Sequence, residues 1–114
     1  MALDQSGAKS LHAVTVTTAA HKWGFTRKVR QVRVTNRAAT ALTLYVTVAS
    51  ANTLAGAEAA IVTAVADADE TIAIMQGQTK TVWQSGRGRF VAGSVVSTAA
   101  CLYTVEGFEN PLPN

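Results

Sequence analysis

The chain has 114 residues, of which 48% are hydrophobic and only 15% are charged, with a formal net charge of +3. This length fits one domain, and no run approaches the ~18 apolar residues that a membrane-spanning helix needs. The first ten residues contain no apolar core, so we expect no signal peptide and synthesis in a cytoplasm. The charged fraction lies below the roughly 25% usual for soluble domains, which suits a protein that packs against neighbours.

The charge is unevenly divided along the chain. Residues 1–57 hold seven cations and one acid, a net +6, whereas residues 58–114 hold three cations and six acids, a net −3. Such a split predicts either complementary patches for self-association or two solvated faces of one monomer.

The first half of the chain is predicted to be an arm followed by strands. Residues 1–10 are small and polar without periodicity, which indicates an N-terminal arm. Alternating apolar and polar residues predict strands in LHAVTVTT, RKVRQVRVTN and ALTLYVTVA, with a loop at HKWGF and a turn at NRAAT. In the third of these strands Leu42, Leu44, Val46 and Val48 point to one side. We expect the second and third strands to pair as a hairpin.

The second half alternates short strands with turns. A short helix is predicted around Ala55–Ala60, and IVTAVA fits either a helix or a strand. TIAIM and TKTVW read as a second hairpin across the QGQ turn, and QSGRGR reads as a Gly-rich turn. Gly93 in RFVAGSVVST indicates a bulge or a turn between two short strands. The last strand, AACLYTVEGF, places Cys101, Tyr103 and Val105 on one side, and the prolines of ENPLPN indicate a tail because they lack a backbone donor.

These patterns predict an all-β fold. About seven or eight short strands with frequent turn signals favour an antiparallel β-sandwich or a small barrel with extended terminal arms. We expect an N-terminal arm at residues 1–10, the β-sandwich domain at residues 11–106 and a C-terminal tail at residues 107–114.

No catalytic or metal-binding motif stands out. His12, His21 and the single Cys101 are too few soft ligands for a structural zinc site, and an isolated Cys usually behaves as a small buried hydrophobe. The acidic turn DADE (Asp67, Asp69 and Glu70) lacks the Gly and the distal Glu of an EF-hand calcium loop. We therefore expect no enzymatic activity, no cofactor and no metal site.

Two aromatic and arginine-rich stretches are candidates for partner binding. The aromatic residues of HKWGF are either core residues or interface anchors. The arginines of GRGRF suit a hairpin turn with charge at the edge, a subunit contact or a phosphate site. The predicted partner interface comprises Trp23, Phe25, Arg87, Arg89, Phe108, Pro111 and Leu112.

Nucleic-acid binding is a further hypothesis, because guanidinium groups neutralise phosphates. It would use Arg30, Arg33, Arg37, Arg87 and Arg89. However, Arg30 and Arg33 lie three residues apart on a strand and need not share a face. The cations are therefore predicted to be spread over both sides of a sheet and a turn, and we favour a protein partner over a nucleic acid.

Three runs resemble small β-sandwich virion proteins of tailed bacteriophages: VRVTNRAATALTLYVTV, ETIAIMQGQTKTVW and GRFVAGSVVSTAACLYTVEGFE. Together they cover roughly residues 29–109. The resemblance implies a head decoration (cement) protein that binds the major capsid protein or other virion proteins, and a neck, tail or baseplate component fits almost as well. It also implies a homo-oligomer located in the virion, and it supplies no catalytic residues.

A carbohydrate- or receptor-binding module is the remaining alternative, since β-sandwiches often serve this purpose. Such a module would need exposed aromatic side chains near one another. The candidates are Trp23, Tyr45 and Trp83.

Overall fold

The computed structural model describes residues 4–6, 14–16, 20–65 and 71–109. These residues form mostly antiparallel β-structure, with eight strands and one short helix among them, which confirms the predicted all-β fold. The elements are β1 (Asp4–Ser6), β2 (Val14–Val16), β3 (His21–Phe25), β4 (Val29–Asn36), β5 (Leu44–Ala51), α1 (Leu54–Ala59), β6 (Ile72–Ile74), β7 (Thr79–Ser97) and β8 (Cys101–Phe108).

The strands form two sheets that share β7. The first sheet has the order β1-β3-β7-β5-β6, and the second has the order β7-β4-β8-β2. Neighbouring strands run antiparallel except β1, which is parallel to β3. The part of β7 up to Arg89 pairs with β4, and the part from Phe90 onward pairs with β5 and β3. One strand therefore passes from one layer to the other, and the sheet does not close into a barrel.

The two sheets pack face to face around one core. The first sheet contributes Trp23, Phe25, Leu44, Val46, Ile74, Val91 and Val95, and the second contributes Val29, Val32, Val34, Cys101, Tyr103 and Val105. The alternation seen in the sequence thus correctly identified the inward sides of β4, β5 and β8. A hydrogen bond of 2.6 Å between His21 Nδ1 and the Tyr103 hydroxyl joins the two sheets.

The predicted hairpin of β4 with β5 is wrong, because β4 pairs with β7 and β8 while β5 pairs with β6 and β7. Residues 37–43 cross from the second sheet to the first instead of turning back.

The tight turn at QGQ is confirmed: Gln78 N–H donates to the Met75 carbonyl at 3.0 Å, and Gly77 takes a φ of 75° that favours glycine. Its flanking strands do not pair, since β6 lies in the first sheet and the start of β7 in the second.

The turn predicted at QSGRGR and the interruption predicted at Gly93 are also wrong, since β7 continues through both over 19 residues. Residues 85–88 form a bulge within the strand. Gly93 lies in mid-strand opposite Trp23, and a Cβ at this position would collide with the Trp23 ring and the Thr47 carbonyl oxygen. The glycine therefore marks a close approach of a side chain to the backbone.

The loop predicted at HKWGF is strand β3. Gly24 pairs with Ala92 of β7, and the neighbouring Trp23 and Phe25 point into the core, where they pack edge to face at 5.9 Å. Gly24 thus lies on the outer face of β3, which has a strand on each side, and it does not end the strand.

The terminal segments extend the sheets. Strand β1 lies within the segment predicted to be an arm and adds to the edge of the first sheet. Strand β2 confirms part of the strand predicted in LHAVTVTT. Strand β8 continues through Gly107 and Phe108, two residues past the predicted end of the domain. The rest of the predicted C-terminal tail, residues 110–114, lies outside the described residues.

The predicted short helix is present as α1. The Thr53 hydroxyl caps it by accepting a hydrogen bond from Gly56 N–H at 3.0 Å. The following residues, 61–65, run along the outer face of the first sheet. There the Thr47 hydroxyl donates to the Val62 carbonyl, and Ser94 Oγ accepts from Ala64 N–H at 3.2 Å.

Candidate interaction surfaces

A cluster of cations forms where β4 begins beside the bulge of β7. The strand register sets Arg89 directly opposite Val29, whose chain neighbours are Lys28 and Arg30. Lys28 also packs on the bulge, since a Cβ at Gly88 would lie 3.3 Å from Lys28 Cβ. We call this surface the basic cluster; it comprises Arg27, Lys28, Arg30, Arg87 and Arg89.

The bulge presents the cations of β7. Val29 pairs with Arg89 and Gln31 pairs with Gln84, so four residues of β7 stand opposite the single residue Arg30. The extra length pushes residues 85–88 away from the ladder. Gly86, Arg87 and Gly88 are exposed as a result.

Acidic residues neutralise only part of this charge. Arg27 forms an ion pair with Glu109 at 2.7 Å, and both side chains are more than half exposed. The Nε atoms of Arg30, Arg33 and Arg89 are buried and have no hydrogen-bond partner among the described residues. Within this part of the chain, Arg27 is the one cation of the cluster that has an acidic partner.

The other two arginines of the predicted nucleic-acid set point elsewhere. Arg33 stands opposite Glu106, and its guanidinium lies over the ring of Phe108, 6.0 Å from the centroid. Arg37 Nε donates to the Thr104 hydroxyl at 3.3 Å. The five predicted arginines thus divide into three in the basic cluster and two on the outer face of the second sheet.

A second candidate surface is an apolar groove beside the extended segment at residues 61–65. The groove has a volume of about 380 Å³ and is lined by Ala20, Thr63, Ala64, Val65, Val96, Ser97 and Thr98. Val62 and Val65 are each 59% exposed. Because backbone and hydroxyl hydrogen bonds fix this segment to the sheet, its exposed valines are held in place at the edge of the groove. We call this surface the valine groove.

The structure places the predicted interface residues in three settings. Trp23 and Phe25 are fully buried, so they are core residues and present no surface to a partner. Arg87 and Arg89 belong to the basic cluster, and Phe108 is only 5% exposed. Pro111 and Leu112 lie outside the described residues.

The remaining predictions concern titratable groups. Burial raises the pKa of the Cys101 thiol, and a hydrogen bond with Ser97 opposes this shift. Cys101 is 1% exposed and donates from Sγ to Asn36 Oδ1 at 3.3 Å, in agreement with its predicted role as a buried small residue. His12 and the DADE turn lie outside the described residues.

The described residues contain no group of three or more His, Cys, Asp or Glu side chains arranged to hold a metal ion. They also contain no helix that is both long and apolar enough to cross a bilayer.

Sequence reasoning missed parts of both surfaces. Lys28 and Arg27 join Arg87 and Arg89 only through the pairing of β4 with β7, and no local pattern specifies that pairing. By sequence IVTAVA fits either a helix or a strand, whereas residues 61–65 are neither in the structure.

Comparisons with protein-family models, with curated proteins and with solved structures find no match for this chain.

Proposed function

We propose that this chain is a non-enzymatic structural protein of a tailed-bacteriophage virion, with capsid decoration as its role, and that it binds copies of itself and other virion proteins. The valine groove carries this proposal, because it offers a fixed apolar contact on the outside of a rigid sheet. The sequence resemblance supplies the virion context.

The energy available at this surface suits repeated weak contacts. Fully burying an exposed Val contributes roughly 1.5–3 kcal/mol, and Val62 and Val65 are each a little over half exposed. One such contact is weak once the entropy of association is subtracted. On a lattice the binding free energies of many such contacts combine, because each further contact forms at high effective concentration.

A second copy of the chain is the partner that this surface fits best. Val65 both lines the groove and projects from its edge. In a contact with twofold symmetry, the same surface of each copy contacts the other copy. Val65 can therefore contact the groove of the second copy while its own groove contacts Val65 of that copy. Ser97 and Thr98 also line the groove, and Thr98 is exposed.

Light scattering after size exclusion, over a hundredfold range of concentration, tests self-association. We expect the wild-type mass to rise to a discrete oligomer and the Val62→Asp/Val65→Asp variant to stay monomeric, since a buried carboxylate in an apolar contact is costly. Met75→Asp is the matched control, because Met75 is 58% exposed away from the groove. A wild-type chain that is monomeric throughout, or a control that behaves like the valine variant, would contradict this interface.

The virion assignment needs its own test. Antibodies raised against the chain should label tailed particles purified from a lysate of the bacterium that carries its gene, as seen by negative-stain electron microscopy. Absence of label from both intact and opened particles would overturn the assignment.

The aromatic residues that a carbohydrate-binding module would use do not form an exposed platform. Trp23 is fully buried and Tyr45 is 9% exposed. Trp83 is partly buried and packs against the core. These positions therefore give no support to the alternative of a sugar-binding surface.

A further inference from the structure

The geometry points to nucleic acid as the ligand of the basic cluster, bound through its phosphate backbone. This inference is independent of the proposed function, since it uses different residues on a different part of the molecule. The set is Arg27, Lys28, Arg30, Arg87 and Arg89, and the packing of Lys28 against Gly88 places the first group of cations beside the bulge that carries Arg87.

The first argument is the excess of charge. Five cations lie within a few residues of one strand pair, and among the described residues Arg27 is the one of them with an acidic partner, Glu109. Like charges that lie close together repel one another, so an anion that neutralises them is bound favourably.

The second argument is the kind of anion that fits. Four of the five cations are arginines, whose planar guanidinium binds phosphate oxygens in a bidentate manner. Gly86 is open, since a Cβ there would meet nothing within 4 Å, so a backbone of phosphates can approach the bulge closely. The cations are distributed over two adjacent strands, which suits a polymer of phosphates better than one small anion.

The third argument concerns access while the protein is assembled. Arg89 and Ser97 are eight residues apart on β7, which corresponds to roughly 25 Å along an extended strand. The valine groove lies at the Ser97 end, so both surfaces can be occupied at once. The cluster has no arrangement of side chains that reads base edges, so we expect binding independent of sequence.

Fluorescence anisotropy tests this proposal with a labelled 20-nucleotide single strand and the corresponding duplex, titrated between 50 and 300 mM KCl. We expect binding that weakens steeply with salt. Three to five neutralised phosphates give a slope of about −2.7 to −4.5 for log K against log [KCl] on the duplex. No binding at 50 mM KCl would overturn the proposal.

Charge-matched variants locate the site. Arg87→Gln/Arg89→Gln removes two charges from the cluster, and Arg37→Gln/Lys80→Gln removes two charges from elsewhere. We expect at least a tenfold loss of affinity from the first pair and less than a threefold loss from the second. Equal losses would overturn the site, because they would indicate a response to net charge alone. Arg87→Gln by itself serves if the double variant does not fold, since Arg87 is exposed.

An acidic protein surface is the competing ligand. Poly-L-glutamate should displace the oligonucleotide poorly, because carboxylates do not reproduce the regular spacing of a phosphate backbone. Displacement as efficient as that by unlabelled DNA would overturn the assignment to nucleic acid. In either case the oligomeric mass of the arginine variants should equal that of the wild type, which separates this test from that of the valine groove.

Discussion

Asn36 is completely buried, yet both atoms of its side-chain amide have partners. Its Nδ2 donates to the carbonyls of Leu42 at 2.9 Å and Ile74 at 2.8 Å. Its Oδ1 accepts from Ala38 N–H at 2.9 Å and from Cys101 Sγ at 3.3 Å. One side chain therefore joins the end of β4 to the crossing loop, to β6 and to the start of β8.

Replacing this residue should be among the most destabilising polar substitutions in the chain. We expect Asn36→Ala to lower the free energy of unfolding by about 2–4 kcal/mol, because buried carbonyls and an N–H are left without partners. Urea denaturation followed by circular dichroism measures the effect. Thr35→Ala is the control: its hydroxyl bonds Thr79 on the exposed face, so a loss under about 1 kcal/mol is expected. Equal losses would contradict the role assigned to Asn36.

Cys101 gives the protein a dependence on alkaline pH. Burial raises the pKa of its thiol in the folded state. The stabilisation from the protonated thiol is therefore fully present below the unfolded pKa of about 8.5 and is lost as the pH rises toward and through the raised folded pKa. The thiolate also cannot donate to Asn36.

Urea midpoints between pH 7 and pH 10, for the wild type and for Cys101→Ala, measure this contribution. At pH 7 the wild type should have the higher urea midpoint, because the variant loses a buried side chain and a hydrogen bond. The difference between the two midpoints should shrink above about pH 8.5. All other side chains are the same in the two proteins, so a difference that stays constant to pH 10 would refute the prediction.

At the level of elements, β7 carries most of the organisation of the fold, and Gly93 is its most constrained position. A Cβ there would collide with the Thr47 carbonyl and the Trp23 ring, and neither can move without disturbing two neighbouring strands. We expect Gly93→Ala to cost about 3 kcal/mol or more, measured as a fall in the urea midpoint. Gly86→Ala on the same strand meets nothing within 4 Å and should change stability by less than about 0.5 kcal/mol. Comparable effects at the two glycines would show that the contact with Trp23 does not matter.

The sequence predicts which side of each strand faces the core, but not which strands pair with one another. Alternation identified which residues of β4, β5 and β8 face inward, because burial on one side imposes a period of two. It did not identify strand partners, since the same alternation suits a hairpin and a crossing between sheets. Asn36 fixes the crossing through contacts with Ile74 and Cys101, which lie 38 and 65 positions further along the chain, and no local pattern reports such contacts.

The candidate surfaces were less predictable than the core. The sequence predicts Arg87 and Arg89 as part of a partner interface, but their neighbours Lys28 and Arg30 lie about 60 positions earlier in the chain. The sequence predicts that the cations are spread apart, and Arg33 and Arg37 do lie away from the others. The pairing of β4 with β7, which the sequence does not specify, brings Lys28 beside the bulge that carries Arg87.

At the level of the whole molecule, the shared strand couples the two sheets. The first sheet loses its central strand if the end of β7 separates, and the second loses an edge strand if the start does. The sheets also share one core and the hydrogen bond between His21 and Tyr103. A chain of this size with a single core is expected to unfold in one cooperative step.

The two tryptophans of the chain allow this cooperativity to be measured directly. Trp23 lies in the first sheet, and Trp83 lies in the part of β7 that belongs to the second. In Trp83→Phe the fluorescence reports on the first sheet, and in Trp23→Phe it reports on the second. We expect the fluorescence midpoint of each variant in urea to coincide with its own circular dichroism midpoint, even though Trp23→Phe lowers both by leaving a cavity in the core. A Trp83 signal that is lost before the secondary structure would mean that the second sheet opens independently, and that the sharing of β7 does not couple the two layers.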